Sequence, residues 1–462
     1  MTFMGTGDTR PTTGQVDVRS DGVGERPPWL LYFICVIVML IPYDRVLPVP
    51  WTGVAFPARA TGLVMAFLVV LGFLRPRQNP VKSANLGVVA VLVYMLTIFL
   101  LWGIGLIHVG TPMQEGNKRT IVIVVVGAVG VAIYTALRVR ATRQLSIALG
   151  CLFVCGVLSA MLALLQHFAH INTAEMYGQL GLRPTTSAVR VLRVRAGAVR
   201  AVGTFGHAIP FSVATAAMVP IALHFSRYAH KKGIRRLSAG GAMVLLVAVP
   251  TGVSRAGIVA LAVAVVAYSL SISANRVVTG FLVFVVGVGV YAALAPSTFD
   301  ALIQTISNSG TDSSVQVRLQ QQSSALKIFE HNPIFGIGPG AVTNDISGQY
   351  PIDNQWFSAL MEGGILGGGV QALVAGFGIL GAVRALRVAS TAGARSRVYA
   401  MTGAYLALLS ESVSSDFLSN VQTQMLFFLF YGLLWTGYAG SDESDGPARE
   451  NAIPGIACSQ LA

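Results

Sequence analysis

The chain has 462 residues, 54% of them hydrophobic and only 11% charged, with a mean hydropathy of +0.66 and a net charge of +13. Soluble domains carry about 25% charged residues, and many stretches here run uncharged for the ~20 residues that a helix needs to cross a ~30 Å hydrocarbon core. That excludes an ordinary soluble enzyme. Non-alternating runs such as TIVIVVVGAVGVAIY exclude a β-barrel, and the positive charge reads as loop bias in a membrane protein rather than as a nucleic-acid footprint.

Residues 1–28 are polar and mixed in charge and are expected to form a disordered cytoplasmic tail. The apolar run from Leu30 has no small-residue cleavage site after it, so it reads as a retained first helix. Apolar runs place helices near 29–47, 58–74, 86–107, 120–137, 145–168, 205–226, 237–251, 256–271, 277–295, 357–383, 398–413 and 421–439. The expected fold is an all-α integral membrane protein of about twelve transmembrane helices over 29–440, with both termini cytoplasmic. Residues 237–271 admit two short helices around Pro250-Thr251-Gly252 or one helix of ~52 Å that would reverse every later crossing. Residues 441–462, with Asp442, Glu443 and Asp445, read as a second disordered tail. Cys35, Cys151, Cys155 and Cys458 show neither a CxxC nor a nearby His pattern, which argues against a metal site.

With the N-terminus inside, the inner loops hold more Lys and Arg than the outer loops, but one outer loop runs against the trend. Residues 169–204 carry Arg183, Arg190, Arg193, Arg195 and Arg200 against the single acid Glu175. Arginine at every position favours planar, multi-donor recognition of phosphate. A large extracytoplasmic loop, 296–356, precedes the tenth helix. Long loops of this kind are more often functional than structural. Within it, QVRLQQQSSALKIFE has the pattern of an amphipathic helix with Val317, Leu319 and Leu326 as buried positions. Asn332-Pro333 stops that helix, and Gly336, Gly338, Pro339 and Gly340 make a tight turn.

Three arginines stand at the outer boundary beside helices: Arg200, Arg255 and Arg318. Burying Arg255 between two apolar runs costs ~2.5–3.5 kcal/mol on insertion scales. Snorkelling to lipid headgroups accounts for one such residue; three converging outside describe a clamp for a diphosphate. The outer-face acids are Asp44, Asp353, Glu362, Glu411 and Asp416. Asp353, just ahead of an apolar helix, suits a general base for a sugar hydroxyl, and equally suits a helix N-cap. Glu362 is an intramembrane acid, which suits a functional role and equally an ion pair or interhelical hydrogen bond, and in a regular helix it falls about 180° from Asp353. The run Gly363, Gly364, Gly367, Gly368 and Gly369 reads as small-residue helix packing. There is no HExxH, no DxD-like pair and no GKS or GKT, so no metal, nucleotide or other cofactor is implied.

These residues resemble the O-antigen ligase and O-antigen polymerase superfamily of polytopic membrane glycosyltransferases. RAVGTFGHAIPFS at 200–212 is similar to the family's Arg-x-x-Gly-Thr-Phe element, and TGVSRAGIVAL at 251–261 to its Ser-Arg-x-Gly element. The third segment is Arg318 with NPIFGIGPG at 332–340 and DNQWFSALMEGGILG at 353–367. The resemblance implies a GT-C-like, metal-independent transfer of a glycan from a polyprenyl-diphosphate-linked donor to a saccharide acceptor outside the bacterial cytoplasmic membrane. It implies Arg200, Arg255 and Arg318 as diphosphate ligands, Asp353 and Arg318 as catalytic residues, and Asn354 and Glu362 in substrate binding. Ligases place His-Asn ahead of the last of these helices; here Asp353 stands at the His position before Asn354, which leans toward a polymerase or another glycan transferase. The alternative class is a polytopic transporter or flippase, against which the halves show no repeat.

Overall fold

An apolar run in hydrocarbon has no water to pair its backbone groups, so it satisfies them internally as helix. The computed structural model describes residues 27–42, 45–48, 55–74, 86–107, 112–171, 181–184, 194–195, 197–307, 313–341 and 352–441. Among them run α1 (Trp29–Leu40), α2 (Pro57–Leu74), α3 (Leu86–Gly105), α4 (Pro112–Arg138), α5 (Thr142–Phe168), α6 (Ala208–Tyr228) and α7 (Lys232–Ala248). A 3-10 turn, Val249–Gly252, leads to α8 (Arg255–Ser269), α9 (Ala274–Leu294), α10 (Pro296–Ser307), α11 (Ser313–His331), α12 (Gln355–Val388), α13 (Ala392–Glu411) and α14 (Val421–Leu434). Two short antiparallel pairs complete the described secondary structure: β1 (Arg45–Val46) with β2 (Arg183–Pro184), and β3 (Val194–Arg195) with β4 (Ala198–Val199). The expected tails, Asp44, Arg190 and Arg193 lie outside the described residues.

Eight of these helices are long and apolar enough to cross a membrane, and α1, α8 and α14 are shorter apolar helices. Each of the twelve expected apolar stretches contains a helix, with shifted ends: α1 stops at Leu40 and α4 begins at Pro112. Residues 237–271 make two helices, not one. Pro250 lies in the 3-10 turn, and Val253 adopts the left-handed region (φ 44°, ψ 55°), which turns the chain before α8.

Lipid tails are as apolar as leucine, so helices in a membrane associate through close packing of small residues and through polar contacts. The centre of the bundle follows that rule. On α6, Ala214, Ala216, Ala217 and Ala222 are wholly buried, and α13 meets α8 through Gly403, where an added Cβ would lie 2.8 Å from the Ala264 carbonyl oxygen. Every residue of α14 is buried. In contrast α9 has no buried residue and packs on α10.

Polar groups collect at the two ends. At one end Gln422 Nε2, in the first turn of α14, donates to the carbonyls of Val38 (2.9 Å) in the last turn of α1 and Ile41 (3.2 Å) just after it. At the other, His224 on α6 and Tyr268 on α8 both meet the Ser396 hydroxyl of α13 at 3.0 Å. The first of these ends also holds the 3-10 turn, α10, α11 and the start of α12.

Residues 296–356 are therefore not a bare loop, since α10 and α11 occupy much of it. Of the expected buried positions on α11, Leu326 is corrected, while the side chains of Val317 and Leu319 lie outside the described residues. Leu326 is 47% exposed, while Gln321 and Ala325 are buried. Ala325 packs with Ile328 against Ile352, Phe357 and Met361 around the start of α12.

Candidate functional site

The Arg200 element is built by polar ties to α5 and α1. Gln166 Oε1 accepts from the N–H groups of Val202 (3.0 Å) and Gly203 (2.8 Å), and its Nε2 donates to Gly203 O at 3.0 Å. Thr204 Oγ1 donates to Met39 O at 2.6 Å and lies 2.7 Å from Ser159 Oγ. Phe205 is fully buried, and His207 caps α6 by accepting from Ile209 N–H at 3.3 Å. Gly, Thr, Phe and His thus all serve the framework, and Arg200 is the element's cation.

Arg200 lies against the second arginine's turn. Its Nε donates to Gly252 O at 3.0 Å, and Ala201 N–H donates to Thr251 O, also at 3.0 Å. Three residues after Gly252, Arg255 opens α8. Between them stands Val253 at φ 44° and fully buried. A β-branched residue in the left-handed region costs about 1–3 kcal/mol, strain that concentrates at functional sites. Both arginines are partly exposed.

A second group forms where α12 starts. Asn354 is the N-cap: its Oδ1 accepts from Trp356 N–H (2.9 Å) and Phe357 N–H (3.3 Å), while its Nδ2 donates to Val413 O at 3.1 Å. The cap is thus the residue after Asp353, and Asp353's carboxyl is not needed for it. Asp353 is held through its backbone, with its N–H 3.4 Å from Gln321 Oε1 of α11. Arg318 sits one turn before Gln321 on α11, so the structure places its backbone near the start of α12; its side chain lies outside the description. Because Asn354 is a cap, Asn354→Ala should cost about 1 kcal/mol of stability and Asn354→Ser almost none, read as melting temperatures of purified protein. A loss of transfer activity in Asn354→Ser without loss of stability would restore a substrate-binding role.

Glu362 owes its place to a break in α12. Gly364 takes φ 59°, ψ −152°, a conformation close to the glycine-only region. The break frees the carbonyls of Met361 and Glu362, which accept from Ile337 N–H and Gly338 N–H at 2.9 Å each. Conversely Ile365 N–H donates to Pro333 O (2.8 Å) and Leu366 N–H to Ile334 O (3.4 Å). The turn 332–341 therefore fills the gap in the helix, and Gly340 N–H donates to Glu362 Oε1 at 3.0 Å. The same turn seals against α3: a Cβ at Gly338 would lie 2.5 Å from Gly105 Cα. Beside it Lys118 of α4, 2% exposed, donates from Nζ to Gly105 O at 3.1 Å. The glycine run expected as helix packing has this other function at Gly364; Gly363 does pack closely on Leu101 of α3, and Gly367 lies against the Ala359 carbonyl within α12 itself. A Cβ at Gly364 would sit 2.5 Å from Ile334 O. Gly364→Ala should thus destabilise by about 2–3 kcal/mol and lower the melting temperature; a wild-type melting curve would refute the break.

The segment 412–420 covers the start of α12. Gln355 N–H donates to Ser412 O at 2.9 Å, Leu418 N–H to Gln355 Oε1 at 3.1 Å, and Trp356 Nε1 to Ser412 Oγ at 3.0 Å. Asp416 in this segment accepts from Ser419 Oγ at 2.6 Å. Desolvation pushes its carboxyl up to about 6, and the hydrogen bonds from Ser419 oppose this. Sequence reading gave Asp416 and Lys118 no role. Their signal was present, an acid and a cation at helix ends, but neighbours far apart in sequence give each its setting.

The structure therefore makes two groupings at the same end of the bundle. Arg200 joins Arg255 at the turn before α8; Asp353, Asn354 and Glu362 surround the start of α12 with Asp416. The N-terminus of α14 touches both sides, because Gln422 Nε2 lies 3.4 Å from Thr204 O and Asn420, which caps α14, ends the 412–420 segment.

Residues 240–371 match the family model described as O-antigen ligase. The match includes the Ser-Arg turn, α11, the 332–341 turn and the broken start of α12; the Arg200 element lies outside it. A comparison of the chain with curated proteins finds no match.

Proposed function

We propose, with the O-antigen ligase match over 240–371 as the premise, that this chain transfers or polymerises a glycan at the outer face of the bacterial cytoplasmic membrane. The donor is a polyprenyl-diphosphate-linked glycan and the acceptor a saccharide hydroxyl. The observation that carries this reading is the Arg200 Nε to Gly252 O hydrogen bond of 3.0 Å, which sets two arginines far apart in sequence at one strained turn.

In this scheme Arg200, Arg255 and Arg318 hold the diphosphate. The acceptor oxygen attacks the anomeric carbon of the donor sugar. The bond from that carbon to the diphosphate oxygen breaks, and its electron pair leaves with the diphosphate, whose growing charge the guanidiniums stabilise. Asp353 takes the acceptor's proton, and Glu362, fixed by the 332–341 turn, supports the same site. The scheme is GT-C-like and needs no metal or other cofactor. Residues 29–440 act as one transmembrane unit in the lipid bilayer, and 296–356 lie outside. The orientation rests on charge: Arg138, Arg140, Arg143, Arg227, Lys231, Lys232, Arg235, Arg236, Arg384, Arg387, Arg395 and Arg397 sit at the end opposite the site and belong inside.

The test is purified protein in proteoliposomes with a lipid-linked oligosaccharide and a saccharide acceptor. Formation of a longer or newly attached glycan with release of polyprenyl diphosphate is expected. Movement of the lipid-linked substrate across the bilayer with no new glycosidic bond would replace this reading with a flippase.

A further inference from the structure

His167 has no part in the scheme above, yet both of its ring nitrogens are engaged beside the Arg200 segment. It is the last residue but one of α5, at the same end of the bundle as the site, and is 7% exposed. Its Nδ1 lies 2.5 Å from Val199 O, and its Nε2 lies 2.6 Å from Thr298 Oγ1 of α10. A carbonyl oxygen only accepts, so Nδ1 carries a proton and donates it to Val199 O. In the neutral ring Nε2 is then the acceptor, and the Thr298 hydroxyl donates to it. Thr298 is fully buried.

The Val199 carbonyl belongs to the same planar peptide group as the Arg200 N–H. The next peptide group, which joins Arg200 to Ala201, is held by the Ala201 N–H bond to Thr251 O at 3.0 Å. Between those two planes lie only the φ and ψ of Arg200. With both planes anchored, the direction in which the arginine leaves the backbone is set. Gln166, the neighbour of His167 on α5, holds the N–H groups of Val202 and Gly203. Consecutive residues at the end of α5 thus grip the chain on both sides of Arg200. The second ring nitrogen adds α10 to the same anchor. That helix lays Ala301 and Leu302 against Ala198 and the strained Val253, so it meets the segments that lead to Arg200 and to Arg255.

We propose that His167 is a positioning residue for the transfer. Through Val199 O it fixes the peptide plane that leads into Arg200, and through Thr298 it holds α10 against the same segment, so the guanidinium is in place before the diphosphate arrives. The inference rests on the reading of Arg200 as a diphosphate ligand. A guanidinium already oriented stabilises the departing charge with no reorganisation at the moment of reaction. A displacement of about 1 Å at such a group costs on the order of 10²-fold in rate. His167 itself forms and breaks no covalent bond.

The test uses the two amides that each mimic one ring nitrogen. Asn places its Nδ2 where Nδ1 stands and keeps the bond to Val199 O; Gln reaches the Nε2 position and keeps only Thr298. In full-length protein in proteoliposomes, His167→Gln should lower kcat/KM for transfer by about 10–100-fold, and His167→Asn should retain most of it. The loss in His167→Gln should also vanish in an Arg200→Ala background, because an arginine that is absent cannot be misplaced. A purely structural histidine would give the same loss in either background and would not favour Asn over Gln. Where His167→Gln does not accumulate, His167→Leu, which removes both bonds, takes its place in the same cycle. Equal kcat/KM in the Asn variant and its counterpart, or an undiminished loss in the Arg200→Ala background, would overturn the positioning role. Wild-type kcat/KM in Arg200→Ala alone would instead sink the diphosphate reading on which it rests.

Discussion

Arg255→Ala should lower kcat/KM for glycan transfer by about 10²–10³-fold while the protein still inserts and folds. The size follows from what the residue is asked to do. Diphosphate departure concentrates negative charge on one oxygen, and a guanidinium already fixed near that oxygen stabilises it with little reorganisation. Arg255 is fixed in that sense, since it starts α8 two residues after a strained, buried Val253 and follows the Gly252 to which Arg200 is bonded. Arg255→Lys should recover little, because an ammonium cannot reproduce a planar, multi-donor grip on phosphate oxygens. Arg200→Ala should act in the same direction, and since its Nε also ties two segments together it should lower the melting temperature as well. The measurement is initial rate against donor concentration with lipid-linked oligosaccharide. Wild-type kcat/KM in Arg255→Ala would remove the diphosphate clamp.

Asp353→Asn should lower kcat by about 10²–10⁴-fold, the range for loss of a general base, with donor binding intact. The substitution is a clean one on structural grounds. The helix cap belongs to Asn354, the Asp353 backbone N–H to Gln321 contact survives, and the side chain keeps its shape. A melting temperature equal to wild type, together with lost turnover, would separate chemistry from folding. Wild-type turnover would leave Asp353 without a catalytic role and reopen its place at the position where ligases carry histidine.

The legibility of the site divides along the same line. Arg200, Arg255 and Asp353 stand out in sequence because a charge at the edge of an apolar run is costly and rare. The role of Asn354 did not stand out, since Asp and Asn are equally good caps and only the φ/ψ of the helix start distinguishes adjacent candidates. Gly364 was read as packing because a glycine that breaks a helix and one that lets two helices touch look alike in a string of glycines. Leu326 reads as buried on helical period alone, but it is Ala325, one position earlier, that packs at the start of α12.

The sequence by itself determined the class of protein and the apolar helical segments. Hydrocarbon forces each apolar run to satisfy its own backbone, so the solution is local and can be read from composition. It also marked the arginines and acids at helix ends, because the cost of charge near lipid depends on each residue's own surroundings. Tertiary structure decided how those residues group. The pairing of Arg200 with the turn before Arg255, the filling of the α12 break by 332–341, and the clamp of 412–420 over the start of α12 all join segments distant in sequence. Each uses a backbone donor or acceptor at a helix end or break, a group that every residue carries alike and whose partner is set by the three-dimensional path of the chain.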